Sequence, residues 1–534
     1  MESRTTTAPS TNGRKPALSL GPASSVGALL LKVLVLGAGT GTLLWITPVL
    51  VAGSHWWMLA GAWLIGLAVF AAYLGRGALP AKYLLPGLVF LAVFMIVPIV
   101  YNLQISTTNF GDGTRTSKEE TVATIVQNSL QPVPGSPAYT LTAGTTGSLS
   151  SGPFTFFLVD PGTGEAFKGT DQGLEKLGPG EAAVSGGRVT EVRGYTILTP
   201  AQFNAAGTAI RDLSIPADDG VIRPSGVSSA QLQAPRLEYD ATGDTLRDTA
   251  TGTTYTVQKD GDRSYFADSQ GRRISDQSWQ ENVGLDNYVK LLADPVLRSA
   301  FIGSFAWTLV LATVSVLGSF VIGLLLAVAL DRAGMRGRRF YRSVLIVPYA
   351  IPTFITFMVW SSFYNKDFGL INRLLGGAAI DWLGEPTLAK GAILVANLWA
   401  GFPYMFLICT GALQSLPDSV GEAAAIDGAG PVRGFLHVKL PLLLISVAPL
   451  LVASFAFNFN NFNAVQLLTG GGPFPPGAQI GETDILLSAV YRMAFGTSGA
   501  QFGLAAAGST LLFLLTAVLA AIQFRSTRSL EEIQ

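Results

Sequence analysis

The sequence predicts an α-helical membrane protein of about eight transmembrane helices, with a β-rich extracytoplasmic insert domain between helices three and four. Three observations carry this reading. Of 534 residues, 49% are hydrophobic and only 13% charged, and the mean hydropathy is +0.42; an ordinary soluble chain carries roughly 25% charged residues. Eight stretches approach or exceed the about 20 apolar residues that a helix needs to cross a bilayer. After the third of these the composition changes: Gln104 to Gln280 holds 20 Asp and Glu against 14 Lys and Arg, with no long apolar run.

Taken in order, Met1 to Ser25 (1–25) is rich in Thr, Ser, Pro and Gly and reads as a disordered cytoplasmic tail. Residues 26–103 hold spans one to three at 33–52, 56–74 and 83–103. The first exceeds the roughly 7–15 apolar residues of a secretory signal, and further spans follow closely, so it is expected to be retained. Residues 104–283 form the insert. Its pieces PFTFFLVD, GRVTEVRGYTIL and RLEYDATGDTLRDTATGTTYTVQKDGDRSYF are separated by DGD, ATGD, PGTG and SGG, the pattern of strands joined by tight turns, with some helix. Its length suffices for a core of its own. It could be a passive decoration; its location favours a docking surface for an extracellular partner. Residues 284–534 hold spans four to eight at 301–330, 343–364, 391–413, 442–464 and 503–524.

Orientation follows from the basic residues. Arg4, Arg14, Lys15 and Lys32 precede span one, and Arg76 and Lys82 separate spans two and three. Arg332, Arg336, Arg338, Arg339 and Arg342 lie between spans four and five, Arg433 and Lys439 between six and seven, and Arg525 and Arg528 after span eight. All five segments fall on one side if both termini are cytoplasmic, as the positive-inside rule requires. The insert is then outside.

Several chemistries are excluded. Cys409 is the only cysteine, so no intrachain disulfide can form, and with only His55 and His437 a zinc site is not expected. There is no GxxxxGK[ST] loop for nucleotide and no basic tract for nucleic acid. The chain is expected to need no cofactor and to be no enzyme.

Two stretches point to function. The loop 416–441 contains SLPDSVGEAAAIDGAGPVRGFLHVKLPLL. Asp418 and Ser419 can cap a short helix with Glu422 in its first turn, Gly428 and Gly430 break it, and Pro431 opens the next segment. Taken alone, this could be an ordinary connection. The second stretch is FAFNFNNFNAV in span seven, where Asn458, Asn460, Asn461 and Asn463 alternate with Phe455, Phe457, Phe459 and Phe462. An unpaired amide in hydrocarbon costs on the order of 2–7 kcal/mol, so these side chains should face the bundle or a watery cavity. They could be interhelical glue. They also suit a sugar, because amides match hydroxyls that donate and accept, and rings can lie against the C–H faces of a saccharide. Asn458 and Asn461, three apart, would share a helix face, with Phe457 one turn from Asn461.

The spacing Glu422-Ala423-Ala424, Gly428, Val438, Leu440-Pro441 resembles the EAA motif of ABC importer permeases, with Val438 where the family has Ile. VGLDNYVKLL, VPYAIPTFI, NLWAGFPYMFLICTGALQSLPD, FAFNFNNF and LLTGGGP narrow the resemblance to the MalF-like maltose/maltodextrin permeases. It is close from Gly284 onward and architectural over the insert. It implies a type I ABC importer permease core at 284–534, whose coupling loop 416–441 presents Glu422, Ala423, Ala424, Gly428, Leu440 and Pro441 to an ATPase. It implies a transmembrane sugar site at Phe457, Asn458 and Asn461, with Gly401 and Tyr404 from span six. A hydroxyl from Thr353 or Thr356 would complete it; Thr353 is taken as the candidate. The implied partners are a second permease subunit (MalG-like), dimeric ATPase subunits (MalK-like) and an extracytoplasmic sugar-binding protein (MalE-like). Trehalose or another neutral sugar is the alternative cargo. An ion-coupled transporter would need intramembrane charges that the spans almost lack, and a membrane-anchored sensor leaves the EAA spacing without a role.

Overall fold

A computed structural model describes residues 26–53, 56–74, 79–170, 172–331, 334–496 and 499–531. The tail at 1–25 lies outside the described residues, as do Arg76 and Arg332. Among the described residues, seven helices are long and apolar enough to cross a membrane, or eight if one bent pair is counted as a span.

Up to Tyr101 the chain forms one compact unit. Spans one (Val26–Ala52) and two (Trp56–Leu74) are joined by a hydrogen bond from Trp63 Nε1 to Thr47 Oγ1 at 3.2 Å. Span three runs Pro80–Ser106 through a π turn at Ala92–Ile96, just before Pro98, whose missing N–H interrupts the regular ladder.

From Asn102 onward the chain forms a second unit. The insert opens with helix Lys118–Asn128, capped reciprocally by Ser117 and Glu120. Its larger sheet has nine antiparallel strands. Strands Ala138–Ser148 and Gly152–Val159 pair Leu141 with Leu158 and Ala143 with Phe156. All four side chains are buried, joined by Ile215, Ile222 and Phe203. The opposite face, with Phe157 and Val159, buries Val189 and Val192 from the hairpin Ala182–Ser185/Arg188–Val192, so this sheet is covered on both sides. A second, four-stranded meander spans Leu237–Asp240 to Arg263–Ala267. It packs Leu246 and Phe266 under Val122 and Ile125 of the helix. The foot of the insert is tied to the start of span eight: Asp112 N–H donates to Ala500 O at 2.8 Å and Gly503 N–H to Phe110 O at 2.8 Å.

Span four, Pro295–Ala329, is the most buried of the membrane helices together with span six, Pro386–Ser415. Ser304, Thr308, Ala312, Ser315, Ser319 and Gly323 recur at three- and four-residue spacing along its buried face. Small residues at this period let backbones approach. A Cβ on Gly323 would lie 2.5 Å from Phe406 N in span six. Span five is broken: Arg338–Ala350 and Thr353–Phe363 meet at 92°. Pro352 holds Ile351 in the extended region (φ −86, ψ 127) and prevents a continuous helix. The sequence led us to expect one continuous span at 343–364, and the two prolines of VPYAIP explain the difference.

Span seven, Pro431–Leu468, is also interrupted. Its helix Leu440–Phe459 stops at Asn460, and a new helix, Phe462–Leu468, starts with Asn461 as its cap. Beyond it, Gly470 and Gly471 adopt positive φ in a turn. That turn is held by Arg492, which donates to Gly470 O and through Nε to the buried Asp484 at 2.7 Å. Span eight, Phe502–Gln523, closes the bundle.

Candidate functional site

The breaks in spans five and seven flank one cavity of about 390 Å³. Span four contributes Ser315 and Ser319, span five Tyr349, Thr353 and Thr356, span six Asn397, Gly401 and Tyr404, and span seven Phe457, Asn458, Asn461 and Asn463. The structure therefore brings together all six sugar-site candidates read from the sequence. Among the described residues, no charged side chain lines the cavity.

Its floor is a hydrogen-bonded amide cluster centred on Asn397. This residue is 5% exposed and donates to Ser315 Oγ at 2.6 Å and Asn458 Oδ1 at 2.8 Å. Its Oδ1 accepts from Asn461 Nδ2 at 3.0 Å. Asn458 donates in turn to Ser454 O at 2.9 Å, and Asn461 Oδ1 caps Ala464 N–H at 3.3 Å. Asn461 is thus both glue and cap, whereas Asn463 is exposed at the cavity and Asn460 bonds back to Ala456 O at 3.2 Å. Asn458 and Asn461 converge on Asn397 from either side of the helix break, not from one continuous helix as their spacing suggested.

The aromatic wall has two parts. Phe457 lines the cavity and is 65% exposed. Tyr404 lies nearly parallel to Tyr349, with centroids 6.2 Å apart and 19° between planes. Gly401 is constrained by its neighbour: a Cβ there would come within 2.7 Å of Ser319 Oγ. The absent side chain thus accommodates span four as well as leaving room in the cavity.

Sequence reasoning overlooked Asn397, Ser315, Ser319 and Tyr349. A signal for Asn397 existed, since Asn397, Gly401 and Tyr404 stand at i, i+4 and i+7 and so share one helix face.

The second site is the hairpin before span seven. Helix Asp418–Ile426 has Pro417, not Asp418 or Ser419, at its N-cap, with no side-chain cap. It ends as expected at Gly428 (φ +81). Gly428 N–H bonds Ala425 O at 3.1 Å and Ala429 N–H bonds Ala424 O at 2.9 Å, the paired bonds of a Schellman end. Lys439 folds back over the helix, its Nζ 3.2 Å from where a Cβ of Gly421 would stand. Glu422 and Ala423 are exposed, Ala424 half-buried, and Ile426 is 86% exposed. Leu440 and Pro441 open the following membrane helix.

Residues 295–531 match the family model described as "Binding-protein-dependent transport system inner membrane component". Residues 89–172 match "N-terminal of TM subunit in PBP-dependent ABC transporters". The maltose/maltodextrin transport system permease protein MalF of Vibrio parahaemolyticus is 34% identical over 463 residues, 84% of this chain and 85% of that protein. The chain belongs to the MalF permease family. A second MalF, from Klebsiella aerogenes, is 34% identical over 480 residues, covering 87% of this chain and 89% of its own length. A solved bacterial ABC transporter for the acidic polysaccharide alginate overlaps 46% of this chain and 84% of its own at 21% identity, with a TM-score of 0.40. As a MalF-type permease the chain is a multi-pass component of the inner membrane and is not itself an enzyme. Its family works within an ABC importer, alongside a partner permease, an ATPase and a binding protein.

Proposed function

We propose that this MalF-type permease moves maltose or maltodextrins and that the cavity between spans four, five, six and seven is its transmembrane sugar site. The observation that carries the reading is the chemistry of the lining: amides, hydroxyls and aromatic rings with no charge among the described residues. A neutral polyol needs donors and acceptors for its hydroxyls and a ring for its C–H face, while an anionic or cationic cargo would need a counter-charge. Phe457 is the stacking surface. Asn458, Asn463 and Tyr404 border the hydroxyls, and Thr353 lies at the rim.

In this reading the termini and the hairpin 416–441 are cytoplasmic and the insert at 104–283 is outside, where a MalE-like binding protein docks. The sugar-binding protein releases its sugar to the outward-facing cavity. Beneath, MalK-like ATPases receive the Glu422-Ala423-Ala424 helix, with Ile426 as its most exposed apolar side chain. Their closure on ATP moves this helix, and the hairpin that carries it returns through Leu440 and Pro441 into span seven and so reaches the cavity. A MalG-like permease supplies the other half of the pore.

The test is reconstitution of the complex in lipid with the cognate binding protein, comparing maltose, maltotriose and trehalose as stimulators of ATP hydrolysis and as transported cargo. Phe457→Ala is the informative variant, because its exposed ring contributes little to packing. Maltodextrin stimulation in the wild type with at least about tenfold weaker transport in Phe457→Ala supports the site. Stimulation by trehalose alone reassigns the cargo.

A further inference from the structure

The helix that opens span five, Arg338–Ile346, follows Arg336 and begins Arg338-Arg339-Phe340-Tyr341-Arg342. It belongs to the first half of the broken span, which meets the second half at 92°. The two halves therefore cannot both run along the membrane normal, and all the charge is on the first. Leu345 and Ile346 pack inward with Leu324 and Ala327 of span four and Cys409 of span six. Phe340, Tyr341 and Val344 are exposed. Arg336 and Arg339 are exposed as well, and Arg338 and Arg342 are half-buried.

Unmet donors concentrate on the same helix. Among the described residues, four buried side-chain polar atoms have no hydrogen-bond partner: Arg338 Nε, Arg342 Nε, Arg342 Nη2 and Thr410 Oγ1. Three of these belong to two arginines one turn apart. Arg338 still has an acid, since its Nη2 donates to Asp331 Oδ1 at 2.8 Å. Arg336, Arg339 and Arg342 pair with no carboxylate among the described residues. A guanidinium partly withdrawn from water needs an acceptor and a counter-charge. The described chain supplies neither to Arg342, so both are expected from outside it.

We infer that Arg336, Arg339 and Arg342, with Phe340 and Val344 beside them, form a binding site for an anionic phospholipid. The phosphate matches the planar fork of an arginine. The exposed Phe340 and Val344 suit the glycerol backbone and first acyl carbons, and basic residues interleaved with exposed aromatic ones are the pattern of a helix at a membrane interface. A partner protein's carboxylate would answer the charge but leave this apolar flank without a role. The headgroup must be net anionic, because a zwitterionic one brings its own cation to the phosphate. On the orientation proposed above, the lipid belongs to the cytoplasmic leaflet, whose anionic headgroups attract such clusters. Bound there, it fixes the start of the half-span that carries Tyr349 in the cavity wall.

The experiment uses the complete transporter, purified in detergent and offered equal amounts of dioleoyl-phosphatidylglycerol and dioleoyl-phosphatidylcholine, with retained lipid counted by native mass spectrometry. The wild type should retain phosphatidylglycerol in about tenfold preference, and Arg339→Gln with Arg342→Gln in one chain should bring the preference close to unity. Arg525→Gln, which removes an exposed arginine after span eight, should leave it unchanged. Should the double variant fail to assemble, Arg339→Gln alone alters only an exposed side chain and should lower the preference about threefold. A wild type without preference, or an assembled double variant that keeps it, overturns the inference. A double variant that retains phosphatidylglycerol but loses a partner subunit shows that a protein carboxylate meets these arginines, and overturns it too. Abolition of the preference by excess inorganic phosphate makes this a site for a free anion and removes the lipid.

Discussion

Asn461 donates its amide to Asn397 Oδ1 across 3.0 Å and turns its own oxygen back to cap Ala464 N–H. One side chain thus closes the break in span seven and fastens it to span six. Asn461→Ala should lower both transport and stability, the latter by about 1–2 kcal/mol from a lost cap and a lost interhelical bond. Asn463→Ala, which removes an exposed side chain at the same cavity, should affect transport with stability unchanged. Thermal unfolding in nanodiscs beside sugar uptake separates the two. Equal destabilisation by both variants would contradict the division of roles.

Gly401→Ala should cost transport because its Cβ meets Ser319 Oγ at 2.7 Å. Replacing that hydroxyl removes the collision, so Ser319→Ala in the same chain should recover much of the activity. Gly323→Ala offers no such relief, since its Cβ meets the backbone of Met405 and Phe406. It should destabilise the packing of spans four and six by about 1–3 kcal/mol. Thermal unfolding of all three variants, with uptake for the first two, checks this.

Ile426 is 86% exposed at the end of the Asp418–Ile426 helix. Ile426→Asp should leave the isolated permease within about 0.5 kcal/mol of wild type while weakening its capture of the ATPase. Co-purification yield against unfolding temperature reads the two effects separately. A stable variant that recruits ATPase normally would remove Ile426 from the contact.

The insert carries its own pH sensitivity. Arg236 donates through Nε to Asp248 Oδ1 at 2.8 Å and through Nη2 to Oδ2. That guanidinium holds the buried Asp248 carboxyl well below the usual carboxylate range. A lowered folded-state value means the stabilisation is complete above the unfolded carboxylate value of about 3.9 and is lost as pH falls below it. Hydrogen exchange of strands Leu237–Asp240 and Thr245–Asp248 should therefore accelerate at acid pH in the full chain. Asp248→Asn should flatten that dependence.

Long apolar runs announced most of the membrane helices because a bilayer tolerates little else, and most ends moved by six residues or fewer; spans one and seven begin 7 and 11 residues earlier than expected. The turn-punctuated insert was legible as strands for the same local reason. Its pairing was not, because Leu141 opposite Leu158 is decided by packing between distant segments. The break at Asn460–Asn461 was hidden by reading span seven as one periodic helix, although an asparagine inside an apolar run is also a capping signal. Asn397 was missed as a single amide among apolar neighbours. Its importance comes from three partners on two other spans, Ser315, Asn458 and Asn461, which no local pattern reveals.

The interruption at Asn460 makes a lever of the helix behind it. Leu440–Phe459 has 20 residues, about 30 Å at 1.5 Å per residue, and it is continuous with the hairpin that carries Glu422. Its far side, Phe462–Leu468, is anchored beyond by the Thr469–Thr483 contact at 2.8 Å, with Trp307 donating to Thr483 O at 3.0 Å. A tilt of about 6° at this pivot displaces the hairpin end by about 3 Å. The cavity sits at the fulcrum, where the same rotation moves atoms least in distance while still turning their amides through the full angle.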